Sequence, residues 1–452
     1  MPAMLREDAG FSRSLLLTLA VIAGVSVANL YYNQPLLEML RTELRTSTLE
    51  ANHIALFTQG GYALGLFFII PLADLVSRRR IVLVNFSVLV LSLLAIAAAR
   101  NIVTIQFFSF LTGLCSVMPH IFIPFAAQYS RPADKSRNVG IILSGLLSGI
   151  LASRVVSGAV GEVLGWREMY CIAAGLMVLS ALVILRVLPD TPRNFTGGYG
   201  ALMRSLATLF RRYAALRLHA LRAALAFGSF MCFWASLAFK MAEAPFHAGS
   251  DVVGLLGLCG IAGAVTASRV GVYIPRFSVR RLSAAGSLLQ LVAWGLFGAG
   301  AGSYAAIIAG IVLIDIGMQA IQLCNQTPLF GLEPQASNRI NTLFMSIYFI
   351  GGAFGTLLSG LTWSRWGWPG VVAAGAVLAL ASLLTTLRPK RQHTAASQSH
   401  PHKKAERTWL SRPPHPFRHG SADPYSGEYM SGRSFSSSTC FFATKSRKSS
   451  SE

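Results

Sequence analysis

Two ionisable residues stand where ionisable residues are expensive. Asp315 lies inside an apolar run, between Ile314 and Ile316. A charge at the centre of a bilayer-length apolar segment costs roughly 2.5–3.5 kcal/mol on insertion scales, so it must face water, face a partner or carry a proton. A carboxyl group whose access to water opens and closes is what proton coupling requires, because its proton affinity follows its surroundings. A structural hydrogen bond to a neighbouring helix is the other use. Arg154 lies within a second apolar run. It keeps its proton, so it needs an acid, carbonyl groups or an anion. Asp315 is one available partner. Reaching along the helix to the interface, about two turns away near Gly161, is the alternative.

Other polar residues interrupt the same kind of run. Histidine titrates near neutral pH, so His120, between Pro119 and Pro124, is either a proton relay or a hydrogen-bonded packing residue. Asn29, Tyr31, Tyr32, Asn33 and Gln34 cluster near the end of the first apolar run, as substrate ligands, an outer gate or interfacial anchors. Gln319, Gln322 and Asn325 continue a polar line beyond Asp315. Lys240 and Glu243 are helix neighbours that read as a surface ion pair or an outer gate. Gly145 and Gly149, and Gly351, Gly352 and Gly355, are small residues spaced to let helices approach closely.

The elements that must hold these residues follow from composition. Of 452 residues 53% are hydrophobic and 13% charged, against about a quarter charged in soluble domains. The apolar residues fall into runs of roughly 20, the length of a helix crossing a bilayer. Twelve spans are expected, near 14–37, 53–74, 80–99, 102–128, 139–161, 168–188, 221–243, 251–271, 282–300, 303–326, 340–362 and 368–388. The first run is too long for a cleavable leader and reads as a retained span. The organisation expected is an N-terminal segment 1–13, a six-helix half 14–188, a central loop 189–220, a second half 221–388 and a disordered basic tail 389–452. The tail's His400 and His402 leave weak metal binding as a minor alternative. The six cysteines have no disulfide or metal spacing, so no metal site and no cofactor are expected.

The net charge of +21 sits in loops and tail without a basic stripe interleaved with aromatics, so nucleic acid is not expected as a partner. The bilayer is. Lysine and arginine concentrate in alternate loops: Arg78, Arg79 and Arg80; Arg131, Lys135 and Arg137; the central segment with Arg193; Arg276, Arg280 and Arg281; Arg339; and Arg388, Lys390 and Arg391. The positive-inside rule puts those loops and both termini in the cytoplasm. An internal repeat supports the map. At an offset of 202, Ser157-Gly158 meets Ser359-Gly360, Gly165-Trp166 meets Gly367-Trp368, Pro132 meets Pro334, Arg137 meets Arg339, and Arg78-Arg79 meets Arg280-Arg281. His120 meets Gln322. Two six-helix halves in one orientation are the parallel repeats of certain transporters.

Tyr32-Asn33-Gln34-Pro35-Leu36-Leu37 resembles the first-helix stretch that marks a bacterial group of the major facilitator superfamily. Asp315-Ile316-Gly317-Met318-Gln319, Asn325-Gln326, Arg339-Ile340-Asn341-Thr342 and Tyr348-Phe349-Ile350-Gly351-Gly352-Ala353 are similar to the same group, over about residues 14 to 390. The resemblance implies an all-α integral membrane protein with twelve transmembrane helices in two six-helix pseudo-repeats. It also implies a central cavity lined by spans one, four, seven and ten. Asn29, Tyr32, Asn33, Gln34, His120, Gln319, Gln322 and Asn325 are then its candidate substrate residues. Asp74 with Arg78, Arg79 and Arg80 resembles the superfamily's cytoplasmic gate motif, with Ser77 where glycine is usual, and Arg276 stands where the second copy would carry its acid. Two exporter signatures are missing: Ser109 replaces an arginine before Gly113, and the fifth span lacks a Gly-Pro pair.

The function expected is secondary active transport of a small organic solute across a bacterial inner membrane by a monomer. The proton gradient is its energy source, since no phosphate loop ending in Gly-Lys-Ser or Gly-Lys-Thr is present. Asp315 and Arg154 are the candidate coupling pair, with no catalytic residues, and the resemblance favours efflux. Three alternatives stay open: proton-coupled uptake of a small metabolite, a non-transporting sensor on the same fold, and a membrane-embedded enzyme, for which the polar residues are too scattered.

Overall fold

A computed structural model describes residues 10, 12–189, 197–273, 276–333 and 336–387, with the main chain alone at 268 and 270–273. Arg193, Pro334, Arg388 and the expected tail with His400 and His402 lie outside the described residues, as does most of segment 1–13. Among the described residues every regular element is helical. The helices long and apolar enough to cross a membrane are α1 (Arg13–Glu43), α2 (Thr48–Asp74), α3 (Arg78–Ala98), α4 (Ile102–Tyr129), α5 (Lys135–Val163), α6 (Trp166–Val187), α7 (Ala214–Ala242), α8 (Ser250–Ala267), α9 (Val279–Ala299) and α10 (Tyr304–Gly331), followed by Ser337–Leu387. Gly367, at φ 58° and ψ −148°, divides that last stretch into α11 (337–366) and α12 (368–387). Gly165, its partner in the repeat, also has positive φ and separates α5 from α6. Both glycines take a left-handed conformation open to a residue without Cβ.

Three boundaries differ from expectation. The first span does not close at Leu37 but continues to Glu43, because the polar stretch that ends the apolar run is still helical and holds an Arg41–Glu38 ion pair at 2.6 Å. The seventh begins at Ala214 instead of 221. Within the expected central loop, Tyr199–Arg212 is a helix that buries Leu202, Leu206 and Leu209 on one side. The spacing of those leucines at four and three residues is the amphipathic signal, too short to register as a span.

Each half is knit by glycine-mediated crossings in matching places. Gly145 and Gly149 of α5 lie against the backbone of Ala20 and Gly24 in α1. Gly351 and Gly355 of α11 lie against Ala224 and Gly228 in α7. The halves meet along two related seams. In one, Gly158 of α5 packs on Ser250 and Gly254 of α8. In the other, Gly360 of α11 packs on Asn52 of α2, whose amide donates to Ser359 Oγ and to Ala235 O, each at 3.3 Å. Asn52 and Gly254 are themselves 202 residues apart, so both seams are built on the same two repeat positions.

Candidate functional site

The centre of the molecule is organised by a break in α1. Residues 29–32 are turns between helical segments Arg13–Ala28 and Asn33–Glu43. The Asn29 amide donates to the carbonyls of Val25 at 3.0 Å and Ser26 at 3.2 Å, ending the first segment. Pro35 falls in the first turn of the second, where its missing N–H has no helical partner to lose. Asn29, Tyr31, Tyr32, Asn33 and Gln34 are each at most 4% exposed and sit midway along a 31-residue helix. Of the three alternatives, interfacial anchoring does not fit that depth. Asn33 Nδ2 donates to Thr58 Oγ1 of α2 at 3.0 Å.

Gln34 reaches the second key residue. Its Oε1 accepts from Arg154 Nε at 2.8 Å. The guanidinium carbon stands 4.0 Å from the ring centre of Trp234 in α7 and 5.0 Å from that of Tyr31. A cation over an aromatic face is attracted by the ring quadrupole, more so away from water. Arg154 is 2% exposed and held by residues of α1 and α7, so the interfacial alternative is set aside. The apolar run gave its depth but not the direction in which its helix face points.

Asp315 lies across a glycine track on α8. The middle of that helix, Gly257–Gly260, is a 3-10 segment, in which residues three apart align. Gly254, Gly257, Gly260 and Gly263 follow that spacing. A methyl group at Gly257 would come within 3.1 Å of Arg154 Cδ, and one at Gly260 within 3.4 Å of Asp315 Oδ1. One at Gly263 would come within 3.3 Å of the same oxygen and 3.2 Å of Gln319 Cγ. Asp315 and Gln319 therefore share one face of α10. Asp315 is 5% exposed and its Oδ2 has no hydrogen-bond partner. Arg154 and Asp315 attract one another electrostatically, yet among the described residues they make no ion pair within 4.0 Å.

His120 and Gln322, matched by the repeat, each meet a tyrosine hydroxyl at 3.1 Å, from Tyr62 of α2 and Tyr348 of α11 respectively. Tyr62 packs on Phe349 with ring centres 4.4 Å apart, and Tyr348 stacks on Phe227 at 4.0 Å. The Tyr62–Phe349 contact joins the halves, and the Phe227–Tyr348 stack lies within the second. Asn325 is not part of this group. Its amide donates to Ser283 Oγ at 2.8 Å and its oxygen pairs with His219 Nδ1 at 2.7 Å, which places it in packing within the second half.

The two membrane faces differ. On the face carrying the basic loops, Asp74 lies within electrostatic reach of Arg78 and of Arg339 at the start of α11. Arg78 is buried, donating to Gln128 Oε1 at 2.7 Å, while Arg79 donates to Leu185 O and Arg80 points outward. The three arginines thus serve separate contacts. On the opposite face, Glu162 of α5 accepts from Ser250 N at 3.1 Å and Ser250 Oγ at 3.2 Å, capping the start of α8 across the seam. Beside it a cavity of about 360 Å³ is lined by Pro35, Glu38, Glu43, Glu162, Ser250 and Val253, among others. Lys240 and Glu243 approach to 4.0 Å, with the carboxylate exposed. Trp234, Glu162 and the α8 track escaped the sequence reading. Only the three-residue glycine spacing was there to be found.

Residues 17–332 match the sequence profile of the Major Facilitator Superfamily. YgaY, an uncharacterized transporter of Escherichia coli, is 36% identical over 394 residues, covering 87% of this chain and all of the relative. A probable transporter of Streptomyces coelicolor is 31% identical, over 86% of this chain and 92% of its own. Among solved structures, the nucleoside transporter NupG superposes with a TM-score of 0.66 at 14% identity, over 82% of this chain and 99% of its own, a likeness of fold.

Proposed function

Because this chain belongs to the Major Facilitator Superfamily, a family of membrane transporters, we propose that it couples solute movement to protons through Asp315. The single observation that carries the reading is a buried carboxylate with an unpartnered oxygen, lying between α10 and the glycine track of α8, beside the α5–α8 seam. Rocking of the halves about a central site opens that seam to each face in turn. Asp315 then gains and loses contact with water, which is what changes its proton affinity. Arg154, held by Gln34, Trp234 and Tyr31, is its electrostatic counterpart, with Tyr32, His120, Gln319 and Gln322 in the surrounding polar lining.

The positive-inside rule assigns the basic face to the cytoplasm. The Asp74–Arg78–Arg339 group then acts as the cytoplasmic gate, and the Glu162–Ser250 contact closes the outer one. Efflux of a small organic solute is the direction carried by the sequence resemblance. Uptake is the second reading, favoured by one observation: a buried guanidinium beside Asp315 is suited to hold an anion that travels with a proton.

Full-length protein in liposomes loaded with a pH dye tests the coupling. A mixed panel of drugs, sugars, amino acids and organic acids is applied to wild type and Asp315→Asn. Proton movement driven by a solute in wild type and lost in the variant is expected. Solute flux without proton movement in wild type would remove Asp315 from its role, and no flux from a broad panel would favour a sensor.

A further inference from the structure

The centre of the molecule leaves donors unmet around Arg154, and acceptors unmet at Asn29 Oδ1, Asn33 Oδ1 and Asp315 Oδ2. Arg154 carries five N–H groups in a planar fork. Among the described residues only Nε has a protein partner, Gln34 Oε1 at 2.8 Å. Gln34 Nε2 and Trp234 Nε1 are buried without partners as well. Arg154, Gln34 and Trp234 are 2%, 1% and 1% exposed. Leaving such donors unmet is costly, so the site is built for something that accepts. A guanidinium fork matches a carboxylate through two parallel bonds. The other surfaces around it are aromatic: Trp234 and Tyr31 at the guanidinium, and the Phe227–Tyr348 stack beyond.

We infer that the transported solute is a monocarboxylate with an aromatic body, its carboxylate held by Arg154 and Gln34 and its ring by the aromatic side chains of α1 and α7. This rests on the coupling role proposed for Asp315 and gives that role a sign. An ionised Asp315 and a solute carboxylate compete for one guanidinium across the bare track of Gly257 and Gly260. Solute therefore binds best when Asp315 carries a proton, and one proton travels with one carboxylate as an electroneutral cargo. The titratable groups facing this pair are Cys259 of α8 and Tyr348 of α11 toward Asp315, and Tyr31 toward Arg154. None is a second cation able to take the place of Arg154. Driven by an inward proton gradient, such a symport runs as uptake, the second of the two directions proposed above.

The test is equilibrium binding of radiolabelled benzoate to the purified full chain between about pH 5 and about pH 8, where benzoate stays ionised. Benzamide, its uncharged isostere, is the competitor. Saturable binding that weakens as pH rises is expected, with benzamide unable to compete. Asp315→Asn mimics the protonated acid and should bind at every pH as wild type does at low pH. Arg154→Gln should lose about thirtyfold or more, since a buried charge partner is removed. Arg154→Lys, which keeps the charge and loses the fork, should lie between, and a thermal melt of each variant identifies any that fail to fold. No saturable benzoate binding, equal competition by benzamide, or unchanged affinity in folded Arg154→Gln would overturn the carboxylate site and leave proton coupling to be judged by flux. Persistent pH dependence in Asp315→Asn would instead sink the coupling role while the carboxylate site stands.

Discussion

The pair α2–α4 in the first half and the pair α8–α10 in the second occupy matching places, and they use the same space differently. In α2–α4 glycines stand on both helices: Gly113 presses on the backbone at Thr58 and Tyr62, and Gly61 on that at Phe110 and Leu114. Gly113 is 202 residues before Asp315, and Thr58 and Gly61 are 202 before Gly260 and Gly263. In α8–α10 Asp315 replaces the inner glycine, Gly260 stands in place of Thr58, and the carboxylate fills that room. The seam residues repeat the lesson. Arg154 corresponds to Thr356, whose hydroxyl donates to Gly352 O of its own helix at 3.0 Å. The scaffold is duplicated and the charge is not. A symmetric frame provides the motion, and one seam provides the chemistry.

The comparison breaks most readily at Arg154. Arg154→Gln should lower proton-coupled flux by about a hundredfold, while Thr356→Val at the equivalent position should cost no more than about threefold and about 1 kcal/mol of stability. Equal effects on flux in liposomes would remove the asymmetry. Next comes the glycine exchange. Gly113→Ala drives a methyl into backbone and should cost about 1–3 kcal/mol in thermal unfolding. Gly260→Ala meets the flexible end of Leu151 and, at 3.4 Å, Asp315 Oδ1, so coupling should suffer more than stability. Reversed signs would show that the α8 track is packing alone.

How legible was this in the sequence? The twelve spans and their pairing came from apolar runs and a constant offset, because bilayer thickness fixes length and duplication fixes order. Asp315 and Arg154 stood out for being charged where charge is costly. What the runs could not give was rotation about each helix axis. That is why Arg154 had an interfacial alternative and Asn325 was grouped with the cavity. Trp234 is an ordinary apolar residue in sequence and becomes special only under a guanidinium. The break in α1 was hidden because Asn29–Gln34 resembled the close of a span.

Smaller effects sharpen the seams themselves. Gly158→Ala would bring a methyl within 2.9 Å of Gly254 Cα, whereas Gly360→Ala meets side-chain atoms of Asn52 and Leu49 at 3.1 Å, which can yield. The first should open the α5–α8 seam by about 1–2 kcal/mol and the second by less than about 1 kcal/mol. The rate of alkylation of a cysteine placed at Val253, with native cysteines replaced, reads that opening. Smallest is Glu162→Gln. Its exposed carboxylate keeps one acceptor for Ser250 as an amide, so the same alkylation rate should rise no more than about twofold. A large rise would move the outer gate from glycine packing to the Glu162 charge.

Proton coupling beside the α5–α8 seam depends on one proton at one residue, and infrared difference spectroscopy of the reconstituted protein across a pH titration observes it directly. A single carboxylic-acid band that is lost as the pH is raised, is absent in Asp315→Asn and shifts in Arg154→Lys is predicted. A spectrum unchanged by Asp315→Asn would mean that the proton is carried elsewhere and that the charged seam is structural.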